Sequence, residues 1–127
     1  MSIVLIDTSF ALAVVERRSD VMGQLKRFLP GSTKMVFLKP VWDEFNVIAD
    51  SGGIKSAKAA VALELFKNAT VIPSRRLPTD KAILAYAKGH RVIVATNDRE
   101  LRIMLRRNNI TVTYVKRDGR LTIEGAV

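Results

Sequence analysis

The sequence contains no cysteine, which excludes disulfides, thiolate zinc sites and cysteine nucleophiles together. Its one histidine, His90, excludes a three-histidine zinc site as well. Aromatic residues make up only 6% of the chain, too few for an evident base-stacking platform. No apolar run approaches the roughly 20 residues that span a bilayer. Asp7 interrupts the first apolar segment, so the start does not read as a signal peptide. Gly-rich phosphate loops of the dinucleotide or P-loop kind are also missing. Acids are scarce: 12 Asp and Glu stand against 21 Lys and Arg, a formal net charge of +9. That balance favours a polyanionic partner, nucleic acid first and an acidic membrane surface second. The expectation is a cytoplasmic protein with no membrane segment.

What is present suits one packed domain over residues 1–127, because 48% of the chain is hydrophobic and 26% charged. Residues 3–6 form a short β-branched apolar run that reads as a buried strand. Asp7, Thr8 or Ser9 can cap the helix that follows, to about residue 15. A second helix over 21–29 stops at Pro30-Gly31. Strands are expected at 35–38, 70–72, 91–95 and 111–115, with helices opening at Pro40, near Ala57, at Thr79 and at Asn97. Asn97 with Glu100 three residues on resembles a capping box. Asp118-Gly119 is a turn, and residues 121–123 read as a short edge strand or hairpin partner. Strands alternating with helices predict a three-layer α/β/α fold with a mainly parallel, roughly five-stranded sheet.

In such sheets ligands bind outside the carboxyl ends of the strands. Asp7 directly follows the first strand, Asp43 and Glu44 open the helix after the second, Asp80 opens the helix after the third, and Asp98 follows the fourth. At about 100° per residue from Val41, Phe45 and Ile48 fall near 40° and 340° and define a core face. Glu44 then lies at roughly 300°, beside that face, and Asp43 at roughly 200°, opposite it. The same count sets Asp80 with Ile83, Leu84 and Ala87, and Asp98 with Leu101 and Leu105. An acid in a first helical turn commonly just satisfies free N–H groups. Four acids on one rim of a basic protein are harder to explain so, because clustered carboxylates repel. A hard divalent ion, Mg²⁺ or Mn²⁺ with retained waters, relieves that repulsion.

These segments resemble the PIN-domain family of metal-dependent ribonucleases. The likeness rests on Ile3-Val4-Leu5-Ile6-Asp7-Thr8-Ser9, Pro40-Val41-Trp42-Asp43-Glu44-Phe45, Asp80-Lys81-Ala82-Ile83 and Val94-Ala95-Thr96-Asn97-Asp98-Arg99-Glu100-Leu101-Arg102. Their order and spacing span nearly the whole chain. The resemblance implies single-stranded RNA cleavage with Mg²⁺ or Mn²⁺. It maps the family's acids onto Asp7, Glu44, Asp80 and Asp98, the hydroxyl of its final motif onto Thr96, and the polar residue after the first Asp onto Thr8. Many single-domain members are toxins of the VapC type, for which an acidic antitoxin protein and a homodimer are partners to consider. Others process ribosomal RNA, and residues 96–102 look more like that branch.

The implied chemistry is phosphodiester hydrolysis by metal-activated water. Asp7 and Asp98 would bind the ion, and Glu44 and Asp80 a second ion or waters of the first. Thr96 and Thr8 could bond a carboxylate or a phosphate oxygen, with a local cap or turn bond as the plainer reading for Thr8. Arg99, Arg102 and Arg106 fall within about 60° of one another on the last helix and, with Arg75 and Arg76, are candidates for the RNA backbone. A dehalogenase-type phosphatase needs a second Asp where Ser9 stands, and a receiver domain needs an acidic pair where Asp7 stands alone. The non-enzymatic alternative is an RNA-binding or assembly factor that keeps the fold without turnover.

Overall fold

A computed structural model describes residues 1–75 and 77–126. The order is β1 (Ser2–Ile6), α1 (Thr8–Glu16), α2 (Val21–Phe28), β2 (Thr33–Leu38), α3 (Lys39–Asp50), α4 (Ile54–Leu65), β3 (Thr70–Ile72), α5 (Thr79–Gly89), β4 (Ile93–Ala95), α6 (Arg99–Arg107), β5 (Val112–Val115) and β6 (Leu121–Glu124). The strands form one sheet in the order β3-β2-β1-β4-β5-β6. All neighbours are parallel except β5 and β6, which pair antiparallel from Val115↔Leu121 to Val112↔Glu124. The sheet therefore has six strands rather than five, the sixth being the hairpin partner foreseen at 121–123.

The hairpin closes because Gly119 turns at φ +88°, and a Cβ there would stand 2.9 Å from the Arg17 carbonyl oxygen. Gln24 of α2 ties this corner down. Its amide donates to the Gly119 carbonyl at 3.1 Å and its Oε1 accepts from the Leu121 N–H at 2.7 Å.

Val4, Leu5 and Ile6 are fully buried, as a strand covered on both faces requires. Strand order reverses at β1: connections through β2 and β3 run one way, and those through β4 and β5 the other. Right-handed crossovers in opposite directions put helices on opposite faces of the sheet. Below α3 and α4 the core is aromatic: the Phe37 ring centroid lies 5.1 Å from Trp42, 6.2 Å from Phe45 and 5.9 Å from Phe66. Each Phe buried this fully contributes roughly 1.5–3 kcal/mol. Trp42 is thus a packing residue at the edge of this cluster. Among the described residues, no helix is long and apolar enough to cross a membrane.

Candidate active site

Asp7 and Asp98 emerge at the reversal point between β1 and β4, joined through the Thr96 hydroxyl. Register aligns Ile6 with Ala95, and the Asp7 N–H donates to the Ala95 carbonyl at 2.9 Å. Asp7 and Thr96 therefore leave adjacent strand ends side by side. Asp7 is the N-cap of α1, yet its side chain makes no capping bond. Instead its Oδ2 accepts two hydroxyl protons, from Ser9 at 2.6 Å and from Thr96 at 2.8 Å. Those two hydroxyl oxygens stand 3.1 Å apart. Each in turn accepts a backbone N–H: Ser9 that of Asn97 at 3.0 Å, and Thr96 that of Asp98 at 3.1 Å.

This network runs among residues 87 to 89 positions apart and stitches the start of α1 to the entry of α6. It is almost dry, with Thr96 at 0% and Asp7 at 8% exposure. Hydrogen bonds to a charged group contribute about 1.5–3 kcal/mol each. With both hydroxyl protons spent on Oδ2, Asp7 cannot rotate freely. Its other oxygen, Oδ1, meets no protein donor among the described residues.

Asp98 enters this site differently from the helical stripe position expected for it. It is the N-cap of α6, its Oδ1 accepting from the Leu101 N–H at 3.1 Å. The capping box expected from Asn97 and Glu100 is not formed. Asn97 is engaged elsewhere, donating its amide to the Val115 carbonyl at 2.9 Å and accepting the Val115 N–H at 3.0 Å. Because Asn97 extends the β5 edge in this way, the helix starts one residue later.

The remaining candidates are set apart from this network. Asp43 pairs with Lys39 one turn back on the exposed side of α3. Glu44 is exposed, with no hydrogen-bond or ion-pair partner among the described residues. Asp80 is exposed in the first turn of α5 and accepts the Lys81 N–H at 2.9 Å. The Thr8 hydroxyl is buried without a partner, so the local bond considered for it is absent among the described residues. The residue that sequence reasoning passed over is Ser9. Its only local signal is the spacing of two from Asp7, which resembled a helix cap.

Arg99, Arg102 and Arg106 line one cleft on α6, together with Arg107. Arg75 is exposed in the segment before α5, and Arg76 lies outside the described residues. The His90 ring stacks 3.8 Å from that of Tyr86, and its Nδ1 is 2.9 Å from the Tyr86 carbonyl oxygen. A larger cleft of about 540 Å³ opens at the other end of the sheet, by Ser2, Val92 and Thr111, away from the carboxylates.

Among the described residues, no three His, Cys, Asp or Glu side chains come together as a ready-made cage for an ion. A Mg²⁺-like ion does not need one, since it takes one or two carboxylates and keeps several waters. The oxygens left over at the reversal point, Oδ1 of Asp7 and the second oxygen of Asp98, fit that hard, hydrated type of ion. They do not fit a soft-metal or zinc site.

A sheet reversal flanked by a locked carboxylate and a second carboxylate at a helix entry defines a class of α/β protein with an oxygen-donor site at its carboxyl edge. Comparison with known proteins makes the class specific. A family model described as a PIN like domain matches residues 4–118, and the chain belongs to the PIN-domain family. It is 35% identical over 125 residues to Ribonuclease VapC4 of Methanocaldococcus jannaschii, with 95% of each chain covered. It is 28% identical over 120 residues to Ribonuclease VapC9 of Archaeoglobus fulgidus, covering 94% of this chain and 87% of that one. Its fold is similar to that of the PIN domain endonuclease Utp24, with a TM-score of 0.81 and 24% identity over 98% of this chain and 92% of that one.

Proposed function

We propose that the protein is a divalent-metal-dependent endoribonuclease that hydrolyses phosphodiester bonds of RNA at the β1–β4 edge. The observation that carries this reading is the fixed Asp7, one oxygen saturated by Ser9 and Thr96 and the other without a donor among the described residues, with the Asp98 N–H held by the same Thr96 hydroxyl. A carboxylate so restrained presents a lone pair in one direction without paying rotamer entropy on binding. In this reading Oδ1 of Asp7 and the outer oxygen of Asp98 hold Mg²⁺ or Mn²⁺. Glu44 and Asp80 would hold waters of that ion, and one of the two would accept the proton of the attacking water. A bound divalent cation supplies Lewis acidity to water and to a phosphodiester oxygen. Thr96 and Ser9 touch neither; their work is to hold Asp7.

The names of the curated relatives favour a VapC-type role, with an acidic antitoxin as protein partner, over RNA processing. The test is cleavage of single-stranded RNA by the purified protein with Mn²⁺, with and without chelator. Cleavage is expected, and chelator should abolish it. Asp7→Asn and Asp98→Asn should each lower the rate at least 100-fold while the protein stays folded. RNA binding without cleavage under every divalent ion would point to the assembly-factor reading instead.

A further inference from the structure

Arg102 has a guanidinium that the fold positions but does not satisfy with hydrogen bonds among the described residues. Its Cζ sits 3.8 Å from the centroid of the Tyr114 ring. Only 20% of the side chain is exposed, and Nη1 stands 3.6 Å from Glu124, too far for a hydrogen bond. Nε is shielded from water and meets no acceptor among the described residues. A guanidinium carries five donors in a rigid fork, and leaving them unsatisfied in a half-dry place is unfavourable. Such a group is arranged for an acceptor that arrives from outside.

The surroundings say which acceptor. Arg102 shares a cleft of about 430 Å³ with Arg99, Ile103, Arg106, Arg107 and Glu124. Every cation lining it is arginine, whose fork matches phosphate oxygens better than an ammonium does. Arg99, Arg102 and Arg106 climb one helical face with axial steps of about 4.5 and 6 Å, so a chain with regularly repeated charges can follow them. The row begins at Asp98, whose carbonyl accepts the Arg102 N–H at 2.9 Å, one turn from the carboxylate network.

We propose that this cleft seats the sugar–phosphate backbone of the RNA, with Arg102 as a pre-aligned phosphate clamp and Glu124 as an internal carboxylate that an incoming phosphate displaces. The proposal rests on the ribonuclease reading and adds to it the route of the strand along α6. Glu124 is suited to yield, being nearly half exposed, on the last residue of the edge strand β6 and at ion-pair rather than hydrogen-bond distance.

The experiment is binding of a labelled single-stranded oligoribonucleotide to the full chain in chelator, titrated with salt, alongside cleavage in Mn²⁺. Glu124→Gln should tighten binding several-fold, because it removes the negative charge that competes with phosphate. Arg102→Gln should weaken binding and flatten the log K against log[salt] slope by about 0.7 per lost contact. Should Arg102→Gln melt early, Arg99→Gln serves in its place, since Arg99 lines the same cleft and is exposed. Unchanged affinity in both Glu124→Gln and Arg99→Gln, with wild-type cleavage intact, overturns the clamp and leaves the ribonuclease reading standing. A polyglutamate peptide that binds the cleft while the variants leave RNA affinity alone also overturns it, in favour of an acidic protein. Loss of both RNA binding and cleavage in the wild type sinks the two readings together.

Discussion

The two halves of the acidic rim are built by different means. At the β1–β4 edge, Asp7 is almost fully buried and held by two hydroxyls, whose oxygens in turn hold the backbone that carries Asp98. On the α3 and α5 side, Glu44 and Asp80 are exposed, and among the described residues Asp80 makes only a bond to the next residue. One half is preorganised by long-range bonds and the other is left to water. Electrostatics explains why both are tolerated. Burying one carboxylate is affordable when its oxygen accepts two strong bonds, while burying several without a cation is not. On the proposed reading, the rigid half would set the position of an ion, and the compliant half would adapt to its water shell and to the substrate.

The sharpest way to break this comparison is to cut the rigid half without touching a carboxylate. Thr96→Val preserves shape, yet it removes one donor to Asp7 and the acceptor for the Asp98 N–H. A lost buried partner costs on the order of 1–3 kcal/mol. We expect a lower melting temperature and at least a 10-fold fall in cleavage rate that extra Mn²⁺ only partly restores. Ser9→Ala should do the same to a smaller degree, since Ser9 is only partly buried and Thr96 still holds Oδ2. Thermal melts and metal-titrated cleavage decide it. Unchanged rates in both variants would mean that Asp7 needs no fixing.

Glu44→Gln and Asp80→Asn probe the compliant half. Both should lower cleavage roughly 10-fold or more. Neither should shift the melting temperature appreciably, because neither side chain holds the fold together. If either variant destabilises the protein as Thr96→Val does, the rim is one network and the contrast is false.

The contrast also marks where sequence reading reaches. Apolar runs such as residues 3–6 announce strands, because a strand buried on both faces has no polar alternation. An acid directly after such a run announces a strand exit, which is how Asp7 stands out. The position of β6 was legible from the Asp118-Gly119 turn. Partnerships that skip most of the chain were not legible. Ser9 and Thr96 are separated by 87 residues, and nothing local marks the Ser9 hydroxyl as bonded across the sheet rather than capping its own helix. Asn97 misled for the same reason. Its sequence context is that of a cap, while its amide bonds in both directions with Val115, 18 residues away. Local rules yielded wherever a tertiary bond competed for the same side chain. On α3 the core positions of the helix phase hold, with Val41 and Phe45 buried, but Asp43 and Glu44 are both exposed, so burial alone does not separate them.

That phase supports the smallest expected effect. Asp43 and Glu44 are adjacent acids on one helix, and the negative charge removed by neutralising either is the same. A rim that works only through its overall field would respond to both alike. Asp43, however, spends its charge on Lys39 at a spacing of four residues, with both side chains more than half exposed. Such pairs stabilise by only a few tenths of a kcal/mol. Asp43→Asn should therefore shift the melting temperature by no more than about a degree, and cleavage by less than about 2-fold. Glu44→Gln, one residue on, should cost far more activity and no more stability. Side-by-side cleavage rates at low and moderate salt are the measurement. Equal losses that fade together as salt rises would show a diffuse field at the rim. A loss confined to Glu44 and persisting in salt would show that direction, set by a rotation of about 100° around α3, separates an acid that serves the site from one that only solvates the helix.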